Sequence, residues 1–400
     1  MPLARCDAIA GCANSAASSS DDAIAAGCIR AVRPHVDGVP IAHDLMASFA
    51  ERTGLTGSRP QRRYLWTDAF AVCNFLGLGQ VDLALRLVEH VHHELGRHRS
   101  DGVRRGWISG LADAPGAAHP TIGGLRIGKP LAERGPDEPF DDRLEWDRDG
   151  QYFHYLTKWM HSLARVAHAA HDAKFATWGL ELAKTAHQRF VHETRGRRHM
   201  YWKMSVDLRR PQVGSMGQHD PVDGYITGLE LDATAKALGL AGPDLGDVAA
   251  DYRAMIEESG LVTADPLGIG GLLVDAHRLT QLDRDRPLRD VLVRAAGAGL
   301  ARYVRQPDLR MSASHRLAFR ELGLAIGLAA AREMNVGELA RYAELRAAIE
   351  SFWLDPDHRR SPTYLGHEDI NDVMLATCVE PKGFLSLVMP AHDFTGPPEA

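Results

Sequence analysis

The chain has 400 residues, of which 45% are hydrophobic and 24% charged, and its formal net charge is −6. This is globular composition with material for a sizeable core. No basic tract interleaves with aromatics, which gives nucleic-acid binding no footing, and no run of about 18 apolar residues is present to cross a bilayer.

Residues 1–38 are rich in Ala and Ser and lack the continuous apolar core of a signal peptide. They read as a poorly ordered N-terminal segment ahead of a single domain over 39–395. The five cysteines, Cys6, Cys12, Cys28, Cys73 and Cys378, form no C-x-x-C pair and no zinc pattern. An odd, scattered set fits a reducing compartment, so the expected location is cytoplasmic.

Beyond residue 60 the apolar periodicity is helical almost throughout. Two kinds of helix alternate. One kind, such as "DAFAVCNFLGLG" at 68–79 and "DPLGIGGLLVDAHRL" at 265–279, is apolar all round and so buried on several sides. The other is amphipathic, with one face in water. Paired in order they give hairpins 68–79 with 80–97, 151–172 with 174–192, 222–238 with 246–259, 265–283 with 286–304, and 314–334 with 336–353. A last buried helix begins near Asp369, and 40–54 supplies its outer partner. Six inner and six outer helices predict an all-α fold, an (α/α)6 toroid whose ends meet at one seam.

Two stretches break the rhythm. Residues 98–150 are rich in Gly, Pro and Asp and read as a long loop or lid. Residues 197–214 alternate, predicting a short β-hairpin near 198–213. The basic run "TRGRRHMYWK" at 194–203 reads as a solvated loop.

In a toroid the inner helices run the same way, so their starts converge on one mouth. Asp68, Asp265 and Ser314 are expected there merely as caps. Capping does not explain the aromatics and histidines in the same places. Trp66, Trp146, Tyr152 and Tyr364 offer ring platforms, while His154, Gln218, His219, Asp223, His315, His367, Glu368 and Asp369 offer polar groups. Such a mixture suits a polyol ligand. Asp147 and Asp149 in "EWDRDGQYFHYLTKWMH" are two apart and point in different directions, one toward a cap and one toward the mouth. If both are consumed by caps and ion pairs, the site moves to His219–Asp223, where Asp220 reads as a helix cap beside Pro221. Asp369 and Asp372 share a helix face, where close like charges would raise one pKa. His154, Lys158 and His161 form a polar stripe on an inner helix. His90, His92 and His93 split between two faces of an outer helix and do not read as a metal set; no metal or cofactor is expected.

The hairpin alternation over 60–390, with "WTD", "EWDRDGQYFHY", "GQHDPVDGY" and "HEDIND" at the inner-helix starts, resembles the six-hairpin glycosidase superfamily. The resemblance is architectural and implies carbohydrate chemistry without carrying over individual catalytic residues. That superfamily includes glycoside hydrolases and unsaturated-uronide hydrolases; the similar N-acylglucosamine 2-epimerase group has about this chain length, which implies sugar isomerisation through a pair of histidines instead.

Three functions follow. A glycoside hydrolase acting on a small saccharide would draw its acid and base from Asp68, Asp147, Asp149, Asp220, Asp223 and Asp369, with Asp149 and Asp220 first for proton transfer. A sugar epimerase would use His219, His315 and His367. A non-catalytic toroid would bind a glycan or a protein partner. Substrate identity and oligomeric state do not follow from the sequence.

Overall fold

The computed structural model describes residues 38–241 and 244–387. The expectations for residues 1–37, including Cys6, Cys12 and Cys28, and for 388–395 lie outside the described residues. Among the described residues twelve helices of ten residues or more occur: α1 Gly38–Arg52, α2 Leu65–Gly77, α3 Val81–Leu95, α4 Phe153–Ala170, α5 Ala173–Phe190, α6 Asp220–Ala237, α7 Gly246–Met255, α8 Pro266–Leu282, α9 Arg286–Tyr303, α10 Ala318–Glu333, α11 Ala343–Leu354 and α12 Glu368–Val379.

The inner set is α2, α4, α6, α8, α10 and α12. Each packs on the next, and α12 returns to α2, so the ring closes. α3, α5, α7, α9 and α11 each back onto the inner helix that precedes them, and α1 backs onto α12. The (α/α)6 toroid is therefore present. The reason is visible in α2, where every residue from Leu65 to Leu76 is buried. A helix with no polar face must be covered all round. α3 by contrast buries only one stripe, Ala84, Leu87, Val88, Val91, His92 and Leu95.

Local signals set the helix ends. α8 starts where Asp265 accepts from the Gly268 amide at 3.1 Å, with Pro266 in the first turn. It stops at Asp283, in the left-handed region with φ 50°. The expected helix over 314–334 starts later, at Ala318. Residues Ala313–His315 form a single 3-10 turn, and Arg316 is extended with its guanidinium on the buried Glu321 carboxylate. Ser314 therefore caps nothing and instead shares hydroxyl and imidazole contacts with Ser312 and His315.

The strands lie where alternation predicts them, with additional partners. β2 (Val191–Thr194) pairs with β3 (Arg197–Met200). β4 (Lys203–Met204) sits between β5 (Pro211–Val213) and β1 (Gln151–Tyr152) in a three-stranded antiparallel sheet. β1 leads directly into α4, so the sheet fixes where that helix begins.

The segment 98–150 is anchored through its middle rather than hinged. Leu125 and Ile127 are fully buried. The Ile127 amide donates to the Gly150 carbonyl at 2.8 Å, and the Leu65 amide donates to the Ile127 carbonyl at 3.0 Å. Its short helices are Asp113–Ala118 and Asp142–Glu145. After α12 a short turn, Lys382–Leu385, enters the ring. Its Phe384 ring stacks on Phe70 at 4.4 Å, and the Phe384 carbonyl lies 3.0 Å from His161 Nε2. The Leu385 carbonyl accepts from Gln281 of α8 at 2.8 Å.

Candidate active site

The six inner-helix starts do meet, and a contact or a charge interaction can be named across each junction. Tyr64 and Tyr155 share a hydrogen bond of 2.7 Å between α2 and α4. Lys158 of α4 pairs with Asp223 of α6 at 2.7 Å. His219, before α6, feels the Asp265 charge before α8. Arg320 of α10 pairs with that Asp265 at 2.6 Å. The Phe319 amide of α10 donates to Asn371 of α12 at 3.0 Å, and Asp369 of α12 meets Arg62, just ahead of α2, at 3.3 Å.

An aromatic wall follows part of this rim. Trp66 touches Tyr155 and, edge-on at 6.4 Å, Phe319, which in turn meets His367. Tyr152 and His154 stack at 5.4 Å, and both lie against Trp202. Trp202 meets Trp146, which keeps 36% of its surface exposed. Trp202 belongs to the run that the sequence assigns to a solvated loop. The backbone explains the difference, because its amide donates to the Ser215 carbonyl at 2.8 Å and draws the indole onto the rim.

The carboxylates divide sharply. Asp149 is fully buried and takes a 2.6 Å bond from Arg126 together with the amides of Gly128 and Gly150 at 3.0 Å. It neither caps α4 nor faces the mouth; it ties the 98–150 segment to the start of that helix. Asp147 is exposed. Asp68 is held by Arg63 and by the Tyr64 amide at 2.9 Å, and burial pushes its carboxyl up to about 6. Glu368, Asp369 and Asp372 all lie within 3.6 Å of Arg52 on α1, where they seal the seam. Asp372 also accepts from the Tyr364 hydroxyl at 2.8 Å, which makes Tyr364 a buried strut rather than a platform. Gln218 and His315 are exposed, and His315 meets the hydroxyls of Ser312 and Ser314. His367 is half-buried at the start of α12.

What remains is a cluster on α4, α6 and α8. Asp220 opens α6 and, contrary to the expectation of a cap, turns back to accept from the Gly217 amide at 3.2 Å. Burial, with the neighbouring Asp223 charge, pushes its carboxyl up to about 7. Asp223 sits one turn later. Burial opposes its ionisation, but the Lys158 ammonium and its hydrogen bond, together with the Arg278 charge, hold the carboxyl below its usual range. Asp275 on α8 is buried beside Arg278 at 3.1 Å, and burial and the Asp223 charge raise its carboxyl. His154 has no hydrogen-bond partner among the described residues, and burial pushes its imidazole down to about 4. Burial also lowers His219, whose Nε2 lies 3.0 Å from the Leu261 carbonyl. Both rings are neutral near pH 7.

Below this cluster the polar stripe of α4 continues. His161 meets Glu230 at 2.9 Å, and Arg278 grips the same carboxylate. Burial opposes the Glu230 charge, but these partners hold its carboxyl down at about 2. Asp275 was missed by sequence reasoning, although one carboxylate inside "PLGIGGLLVDAHRLTQL" is itself a signal, since a buried acid needs a partner or a task. His92, in the histidine-rich outer helix, is buried and accepts from Trp159 Nε1 at 3.1 Å. Among the described residues no group of three or more His, Cys, Asp or Glu side chains is placed to hold a metal.

No family model matches the chain, and no curated protein sequence matches it. Solved structures do. A GH76 alpha-mannanase from Bacteroides thetaiotaomicron superposes with a TM-score of 0.53 at 9% identity, over 87% of this chain and 97% of that one. A family 76 glycoside hydrolase from a bovine Bacteroides thetaiotaomicron strain gives 0.50 at 10% identity, over 87% and 78%. At such identities the likeness establishes a shared (α/α)6 toroid, the architecture the hairpin pattern predicts.

Proposed function

We propose that the protein is a glycoside hydrolase whose proton chemistry lies at the first turn of α6. The observation that carries this reading is a pair of neighbouring carboxyls with opposed ionisation at the foot of an aromatic rim. Asp220 keeps its proton to about pH 7, whereas Asp223 is ionised by Lys158. Environments that push two carboxyl pKa values apart assign the acid and the base. Asp220 gives its proton to the glycosidic oxygen as the C–O bond breaks. Asp223 takes a proton from the water that attacks the anomeric carbon. Proton exchange with solvent then resets both groups. The half-buried His154 and Trp202, backed by the buried Trp66 and Tyr152, supply faces for the sugar ring, and Asp275 and Arg278 set the charge beneath Asp223. The GH76 alpha-mannanase with this fold makes α-mannosides the first substrates to try.

The test is release of reducing ends from α-mannan oligosaccharides and from a panel of other α- and β-glycosides. Asp220→Asn and Asp223→Asn should each lower kcat/KM by about 10²–10⁴-fold. A second reading rests on the neutral His154 and His219, both of which feel the Asp223 charge, as bases for sugar isomerisation. Incorporation of solvent deuterium into an unhydrolysed monosaccharide, with no reducing-end release, would replace the first reading with the second.

A further inference from the structure

A cavity lies outside the inner-helix starts, between the 98–123 part of the long segment, the 207–209 turn and the last turns of α5. Its volume is about 480 Å³, within the range of small-molecule sites. Three guanidinium groups border it, Arg104, Arg189 and Arg209, against one carboxylate, Asp207. That carboxylate is already committed. It accepts from Arg104 at 2.5 Å, from the Ser205 hydroxyl at 2.8 Å and from the Arg209 amide at 3.2 Å. The Arg209 side chain, largely in water, makes a looser ion pair with the same carboxylate at 3.9 Å. Arg189, in the last turn of α5, has no carboxylate partner among the described residues. His98 on the wall is held neutral by burial and by the Arg104 charge. Three guanidinium groups therefore share one carboxylate, and the cavity border carries an excess of positive charge.

One further wall feature narrows the ligand. Ile122 borders the cavity with 40% of its surface exposed. An exposed aliphatic side chain beside unbalanced arginines suits a molecule with an anionic end and a carbon body. The volume is likewise larger than a lone oxyanion fills. Arginine forks match tetrahedral oxyanions in pairs of hydrogen bonds.

We propose that this cavity binds a small phosphate or sulfate ester, with Arg189 and Arg209 on the oxyanion and the Ile122 wall against the organic body. The site is independent of the carboxylate chemistry proposed above. Isothermal titration of the full chain at low ionic strength tests it, with glucose 6-phosphate, glucose 6-sulfate, inorganic phosphate and glucose as probes. One ester should bind at one site per chain and glucose should not; the better ester tells phosphate from sulfate. Inorganic phosphate should bind more weakly by roughly tenfold or more. The double substitution Arg189→Ala with Arg209→Ala, both on exposed positions, should weaken the ester by at least roughly tenfold. The site is overturned if neither ester gives saturable binding, or if the double variant binds as well as the parent. The ester assignment is overturned if inorganic phosphate binds as tightly as either ester.

Discussion

Asp220 folds more readily with its proton on than off. Its unfolded carboxyl titrates near 3.8 and its folded one near 7. The stability of the protonated form is fully present below the unfolded value and is lost as pH rises through about 7. A shift of that size corresponds to at most about 4 kcal/mol. Asp220→Asn cannot ionise, so it should melt a few degrees above the parent at pH 8 and by a clearly smaller margin at pH 5. Scanning calorimetry at the two pH values checks this. The same titration governs the proposed reaction, because an acid works only while protonated. kcat/KM should fall about tenfold per pH unit above roughly 7, and a profile flat to pH 9 would remove Asp220 from that role. Residues of this kind were only partly legible. Asp223 and His219 stand out in the sequence, but nothing in it shows that Arg126, 23 positions upstream, consumes Asp149. Ion pairing across a long irregular segment has no periodicity to read.

Helix packing holds one strict requirement. α8 and α10 approach through glycines: a Cβ on Gly270 would collide with the Gly323 carbonyl oxygen, and one on Gly327 would collide with the Gly270 backbone. Neither position has room for a methyl group without moving a whole helix. Gly270→Ala and Gly327→Ala should each cost about 3 kcal/mol, measured as a lower urea midpoint. Gly271, one residue on, faces open space, and Gly271→Ala should not lower stability. At this scale the sequence was at its most informative. The contrast between all-apolar and one-faced helices puts inner and outer partners in the right order, with boundaries within a few residues, except where Arg316 delays the fifth inner helix and where a 3-10 run, Gly337–Tyr342, precedes its outer partner α11. The delay at Arg316 comes from a buried ion pair with Glu321, which helix periodicity does not register.

Ring closure depends on α1, the element furthest in sequence from the helix it covers. Arg52 there reaches Asp369 at 2.9 Å and Asp372 at 2.8 Å, more than 300 residues away. Removing the guanidinium would leave Asp372 buried without its cation. Arg52→Ala should therefore destabilise the fold by about 3 kcal/mol, whereas Asp369→Asn, at a more exposed carboxylate, should cost under about 1 kcal/mol. Urea titrations of the two variants make the comparison. Acidic residues grouped at one helix start look like chemistry when the chain is read in line; here they belong to the seam.

The Lys382–Leu385 turn has a consequence for traffic. With Phe384 lodged among α2 and α4, the described residues fill the end of the ring opposite the inner-helix starts. A ligand entering between the inner-helix starts would then leave by the same end rather than thread past Phe384. For a hydrolase this means that the released sugar stands in the path of the next substrate. Product should then inhibit in direct competition with substrate.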